Sequence, residues 1–219
     1  MKKPTLYVVA GANGSGKSTL VKKYRRFSKD IVFVNPDDIA KAMDPSYDGK
    51  NNQLIVAAGR EAVKRQNELL QSRKTFGLET TFSGNRELRV IQQAKDLGYD
   101  VKLIYVSLDN PEFNIKRVKE RTENGGHFVD PATVVNRYKK SLANLEKGIK
   151  IADKTYLIDN STGKEYIVAK FQLGKVIDVT NKEIPVWVKN QPQVYSKIEA
   201  KTKQNKLFPL QGKSKGMAR

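Results

Sequence analysis

The chain has no cysteine in its 219 residues. That excludes disulfides, thiolate nucleophiles and thiolate-held zinc. It has one histidine, His127, which has no histidine or cysteine partner with which to hold a metal. Its single tryptophan, Trp187, lies in Ile184-Pro185-Val186-Trp187-Val188 and is expected to pack in the core and anchor the C-terminal strands. No apolar stretch approaches the ~20 residues that a bilayer span needs. The opening Met-Lys-Lys-Pro-Thr is too short and too polar for a signal peptide, so a cytoplasmic chain without a membrane partner is expected. Negative charge is also scarce: 23 Asp and Glu stand against 41 Lys and Arg, a net charge of +18. Such a surface attracts polyanions, RNA and phosphorylated metabolites included. No nucleic-acid motif accompanies it, so specific recognition of nucleic acid is not expected.

What is present begins with the apolar run Leu6-Tyr7-Val8-Val9-Ala10, followed at once by Gly11-Ala12-Asn13-Gly14-Ser15-Gly16-Lys17-Ser18. The segment fits G-x-x-x-x-G-K-[ST], between a strand and a good helix former, which is the context a phosphate-binding loop requires. Glycines let the backbone bend and aim several N–H groups at one point, and the helix that follows adds its positive end. Gly11, Ala12, Asn13, Gly14, Ser15, Gly16, Lys17, Ser18 and Thr19 are therefore expected to hold ATP or GTP. Lys17 would reach the β- and γ-phosphates, and the Ser18 hydroxyl would ligate Mg²⁺.

Strand and helix signals alternate along the rest, which predicts an α/β fold. Strands are expected at Thr5–Ala10, Ile31–Asn35, Thr75–Thr80 and Val101–Leu108. Helices are expected at Lys17–Phe27, Leu54–Ser72, Asn85–Leu97, Pro111–Thr122 and Pro131–Lys147, with Asp37–Met43 a short helix or loop. Three further strands, Thr155–Asp159, Glu165–Leu173 and Lys175–Thr180, read as an antiparallel edge. The expected architecture is a P-loop kinase-like three-layer fold, with a mainly parallel sheet of about five strands and helices on both faces. Residues 1–190 would form that domain. Residues 191–219 turn polar and basic: from Ser196 there are six Lys and one Arg against one Glu. That stretch is expected to be a poorly ordered tail with one apolar patch, Leu207-Phe208-Pro209-Leu210.

In a parallel sheet, ligands sit beyond the carboxyl ends of the strands. Those ends carry Asp37 and Asp38, then Glu79, Thr80 and Thr81. A carboxylate there can take a proton from an attacking hydroxyl or hold Mg²⁺ through water. Adjacent residues cannot both point into one cleft, so one of Asp37 and Asp38 is expected to cap a helix. Arg117 and Arg121 share a helix face, Gly125-Gly126 follow, and Arg137 lies on the next helix. Arginines on a glycine-hinged lid stabilise the charge that spreads over a moving phosphoryl group. His127 sits in this lid, where it could contact substrate.

Taken in order, Gly11–Thr19, Val34-Asn35-Pro36-Asp37-Asp38-Ile39-Ala40, Glu79-Thr80-Thr81-Phe82-Ser83-Gly84, Arg117 to Arg121, Gly125-Gly126-His127, Arg137-Tyr138 and Asp159-Asn160-Ser161 resemble the zeta-toxin family of phosphotransferases, in its short form. The resemblance runs from about Pro4 to Trp187. It implies a kinase-like fold that phosphorylates a hydroxyl at the expense of ATP or GTP. In the toxins proper the acceptor is the 3′-hydroxyl of a UDP-activated amino sugar. By position, Lys17 matches the phosphate-loop lysine and Asp37 the general base, the ground for preferring it to Asp38. Thr81, after Glu79, matches the substrate-binding segment, and Arg121 and Arg137 match the arginine pair that clamps the phosphate. An antitoxin, where one exists, would be a separate chain. The sugar-binding insertions of the larger toxins are absent, and Ala58-Gly59-Arg60-Glu61-Ala62 does not align with their acidic substrate contact. Three other functions fit the residues: a nucleoside or polynucleotide kinase, a non-catalytic NTP-dependent binding module, and an RNA-associated protein bound through its tail.

Overall fold

A computed structural model describes residues 3–25 and 31–207. Its centre is strand β1 (Thr5–Ala10), whose Leu6, Val8, Val9 and Ala10 are all buried. Burial on both faces is what a parallel strand sandwiched between helices requires. On one side β1 pairs with β3 (Phe76–Thr80), which in turn pairs with the short β2 (Val32–Val34). On the other it pairs with β4 (Asp100–Ser107), and β4 with β5 (Lys154–Asp159). All four pairings are parallel. Strands β6 (Tyr166–Gln172) and β7 (Lys175–Val179) extend the sheet antiparallel, giving the order β2-β3-β1-β4-β5-β6-β7.

The helices cover the sheet unequally. One face carries α2 (Pro36–Met43), α3 (Asn52–Gln71), α4 (Asn85–Asp96) and α6 (Pro131–Ile151). Ile39, Ala58, Ala62, Ile91, Leu145 and Ile149 from these helices close over Leu6, Val8, Phe76 and Leu103. The opposite face holds a smaller cluster, in which Leu20 and Val21 of α1 (Lys17–Arg25) lie on Val9, Ile104, Val106 and Ile158. Helix α5 (Pro111–Glu123) packs on α6 through Val118 and Val134. No helix among the described residues is long and apolar enough to cross a membrane.

Three expectations change. The strand expected at Thr155–Asp159 does not belong to an antiparallel edge; as β5 it completes the parallel core, and the sheet reverses only at β6. The poorly ordered tail expected from Ser196 is, up to Leu207, helix α8 (Pro192–Leu207), seated by buried Val194 and Ile198. Phe208 to Arg219, with the rest of the Leu207–Leu210 patch, lie outside the described residues, as does the end of the expected first helix at Phe27. Neither Asp37 nor Asp38 caps a helix. Asn35 caps α2, its Oδ1 accepting from the Asp37 N–H at 2.9 Å, with Pro36 in the first turn. Both carboxylates therefore stand in the first turn, where the helix dipole favours them.

Trp187 is in the core, on the short helix α7 (Val186–Lys189), and is fully buried against Tyr105 with ring centroids 5.8 Å apart. Its Nε1 donates to Asp159 Oδ1 at 3.0 Å, at the carboxyl end of β5.

Candidate active site

The loop from Gly11 to Ser18 joins β1 to α1 and takes a shape few residues tolerate. Gly14 has φ +77°, and a Cβ there would lie 2.5 Å from the Asn114 carbonyl oxygen. Gly16 has φ +102°, and a Cβ would strike the Asn160 amide. Only glycine meets both demands at low cost. The loop is also held from outside. Asn114 Nδ2 on α5 donates to the Asn13 carbonyl at 2.6 Å, and Asn160 Nδ2 after β5 donates to the Ser15 carbonyl at 2.9 Å. Sequence reading missed Asn114 and gave Asn160 only as part of a motif. These braces come from 101 and 145 residues away, beyond the reach of any local pattern.

Around this loop lies a cavity of about 790 Å³. Gly14, Gly16, Lys17, Ser18 and Thr19 line it, as do Asp37, Glu79, Thr80, Thr81, Arg117, Arg121, His127 and Arg137. Asp38 does not; its side chain is exposed outside the cavity, so it is a poor candidate for a substrate contact. The adjacent carboxylates thus divide, with Asp37 facing in.

Lys17 is buried, and its Nζ donates to the Ala12 carbonyl at 2.8 Å. The Ser18 hydroxyl donates to Glu79 Oε1 at 2.5 Å. Glu79, expected on the substrate side, therefore reaches the metal side of the loop as well. Magnesium takes one or two hard oxygen ligands from protein and the rest from phosphate and water. Exposed Ser18, with the Glu79 carboxylate beside it, fits that demand.

The arginines reach the cavity by different routes. Arg137 Nη1 donates to Asn13 Oδ1 at 3.1 Å, which holds it over the phosphate loop. Arg121 Nη2 donates to the His127 carbonyl at 3.1 Å. Arg117 Nη2 donates to the Asn160 carbonyl at 2.7 Å, so it ties α5 to the loop after β5. The glycine-hinged segment expected to form a lid is anchored on both the Asp48 and the Tyr47 side. The Phe128 N–H donates to the Asp48 carbonyl at 2.7 Å, and His127 stacks on Tyr47 at 5.9 Å. His127 Nδ1 lies 3.6 Å from Asp37 Oδ2, and burial pushes the imidazole toward its neutral form against the pull of Asp37.

The family model for Zeta toxin matches residues 1–167. The chain belongs to the zeta-toxin family. An uncharacterized protein of Haemophilus influenzae is 36% identical over 131 residues, which cover 58% of this chain and 88% of the relative. Among solved structures, a chain of the AvrRxo1-ORF1:-ORF2 crystal structure with ATP superimposes with TM-score 0.65 at 19% identity, over 90% of this chain. This chain spans only 63% of that one. A structure of the PezAT toxin–antitoxin system of Streptococcus pneumoniae gives TM-score 0.63 at 17% identity, covering 92% of this chain and 88% of that one. A putative kinase from Chloroflexus aurantiacus gives 0.55 at 16% identity, over 74% of this chain and 91% of its own. At such identities the likeness is one of fold. It is the P-loop kinase-like fold that the alternating pattern led us to expect.

Lys17 has an unusual protonation balance. Burial lowers Lys17 to about 8, opposed by Glu79 and Asp37 and reinforced by Arg121 and Arg137. Between pH ~8 and ~10.5 the unfolded chain binds more protons at this site than the folded one. The burial of the ammonium thus costs stability below pH ~8, and the cost is relieved as pH rises toward 10.5. A triphosphate beside Nζ favours the ammonium again. Nucleotide binding at pH 8.5 is therefore expected to take up roughly half a proton or more. Calorimetry in two buffers of different ionisation enthalpy measures this uptake. It should vanish near pH 6.5 and in Lys17→Arg, and equal enthalpies at pH 8.5 would refute it.

Proposed function

We propose that the chain is a phosphotransferase that moves the γ-phosphate of ATP or GTP to a hydroxyl of a small-molecule acceptor. The observation that carries this reading is the convergence of Lys17, Arg121, Arg137 and Asp37 on one cavity beside the phosphate loop. The loop amides and Lys17 bind the phosphates. Arg121 and Arg137 face the charge that spreads over the transferring group. Asp37 takes the proton of the acceptor hydroxyl, whose oxygen forms the new O–P bond. The bond from the γ-phosphorus to the bridging oxygen breaks, and the nucleoside diphosphate leaves with the electron pair. Mg²⁺, held by Ser18 with Glu79 beside it, would supply neutralising charge on the phosphate oxygens.

Family membership supports the reaction class, and the ATP in the AvrRxo1-ORF1:-ORF2 structure supports the nucleotide. The toxin–antitoxin system among the structural relatives supports a separate antitoxin chain as a further partner. The test is transfer of label from γ-labelled ATP in Mg²⁺ to a pooled set of small alcohols, sugars and nucleosides. Label on an acceptor is the expected result. Label released only as inorganic phosphate, with partner affinity altered by nucleotide, would replace this reading with that of an NTP-dependent binding module.

A further inference from the structure

His127 touches two parts of the proposed machinery at once. Its imidazole reaches the base, with Nδ1 3.6 Å from Asp37 Oδ2, just beyond hydrogen-bond length. Its main chain reaches the clamp, where the carbonyl accepts from Arg121 Nη2 at 3.1 Å. The ring is confined. It stacks on Tyr47, and its edge comes so close to Gly49 that a Cβ there would lie 2.8 Å from Cδ2. The next residue is tied down through the Phe128 N–H and the Asp48 carbonyl. The imidazole side chain is 11% exposed and that of Asp37 46% exposed. The carboxylate is therefore the freer of the two, and the confined ring is placed to limit how it turns. Burial favours the neutral ring, opposed by Asp37 on α2 and reinforced by Arg121 on α5, Lys41 on α2 and Arg137 on α6. The loop between α2 and α3 adds Tyr47, whose hydroxyl burial also keeps protonated, and Asp48, whose carboxylate accepts from the Lys50 N–H. A neutral ring has one N–H to give. Given from Nδ1, it fixes one carboxylate oxygen and leaves the other for the acceptor's proton. An imidazolium would stabilise the carboxylate and so weaken it as a base.

We infer that His127 is the positioning residue of the site, its Nδ1–H donating to Asp37 Oδ2 while its carbonyl sets Arg121. This deepens the phosphotransfer reading above and rests on it. The role differs from the substrate contact expected of this residue from sequence: the imidazole acts through the base. The separation of 3.6 Å closes to a hydrogen bond when substrate is bound, as catalytic hydrogen bonds commonly do. Base and clamp are thereby placed by the two ends of one residue.

The experiment uses the full chain. His127 is its only histidine, so the imidazole signals of a ¹⁵N-labelled sample belong to that residue alone. With a non-hydrolysable ATP analogue and Mg²⁺ bound, the Nδ1–H tautomer is expected to dominate. In Asp37→Ala its share should fall, and the ring's titration midpoint should drop further, because the carboxylate that favours the imidazolium is gone. Transfer from labelled ATP to the acceptor found in the pooled test then separates donating from packing. His127→Phe keeps a ring on Tyr47 without an N–H, and should lower kcat by about 10- to 100-fold with KM for ATP unchanged. His127→Asn carries an amide N–H at the δ position and should recover to within about fivefold of wild type. In an Asp37→Asn background, His127→Phe should cost less than about twofold, since no base remains to be positioned. Calorimetric ATP affinity shows that each variant folds. A Phe variant as fast as wild type, an Asn variant as slow as Phe, or a dominant Nε2–H tautomer indifferent to Asp37→Ala overturns the inference and leaves phosphotransfer standing. If ATP binds and no acceptor is labelled, the phosphotransfer reading fails and this inference falls with it.

Discussion

Arg137→Ala is expected to lower kcat about 10³-fold, at the low end of what a phosphate-clamping arginine contributes. The guanidinium is already over the loop, 3.1 Å from Asn13 Oδ1. The charge it meets during transfer is spread over three equatorial oxygens, and a planar fork matches that spread in a way an ammonium does not. The effect should appear in kcat, because the stabilised charge develops only as the phosphoryl group moves. Nucleotide affinity should change by far less, since the loop amides and Lys17 remain. Arg137→Lys should recover only part of the rate. Pre-steady-state transfer with a saturating acceptor separates these outcomes. An unchanged kcat together with a lowered melting temperature would mean that Arg137 serves only to brace Asn13.

Asp37→Asn is expected to lower kcat by about 10²–10⁴-fold, the usual worth of a general base. Asparagine keeps the shape and the position in the first turn of α2, where Asn35 holds the backbone. It loses the capacity to take a proton. The neighbouring imidazole is 3.6 Å away and held toward its neutral form, so it could in principle accept a proton instead. The double variant with His127→Gln tests this substitution of roles. If His127 is silent in transfer, the double variant should be no slower than Asp37→Asn alone. ATP affinity, measured by calorimetry, should stay within about threefold of wild type, because the proposed base acts on the acceptor's proton and the loop amides and Lys17 remain. A single variant that retains full transfer would end the assignment of Asp37 as base.

The phosphate loop was legible from one line of sequence because everything it needs is local: a strand, three glycines, a lysine, a hydroxyl and a helix. Asp37 was legible only through resemblance; spacing could not separate it from Asp38. The structure separates them by the cap at Asn35, which turns one carboxylate inward and leaves its neighbour outside the cavity. The direction of β5 could not be read, because a short buried strand has the same composition whether it runs parallel or antiparallel. Helix α8 was missed for a related reason: only Val194 and Ile198 are buried within a run dominated by polar and basic residues. Asn114 was missed because asparagines on helices are common, and this one has meaning only beside a loop 101 residues away. Glu79 reaches the phosphate loop for a geometric reason: β3 lies directly beside β1, so its last residues reach the hydroxyl at the start of α1.

The indole of Trp187 donates to the carboxylate that ends β5, one residue before the asparagine that steadies the loop at Ser15. On a ribosome the phosphate loop is synthesised well before its supports. A nascent chain that has already displayed Lys17 must wait through some 170 further residues before that indole emerges. A fragment that stops before Trp187 therefore lacks this support, and its loop should be held less firmly.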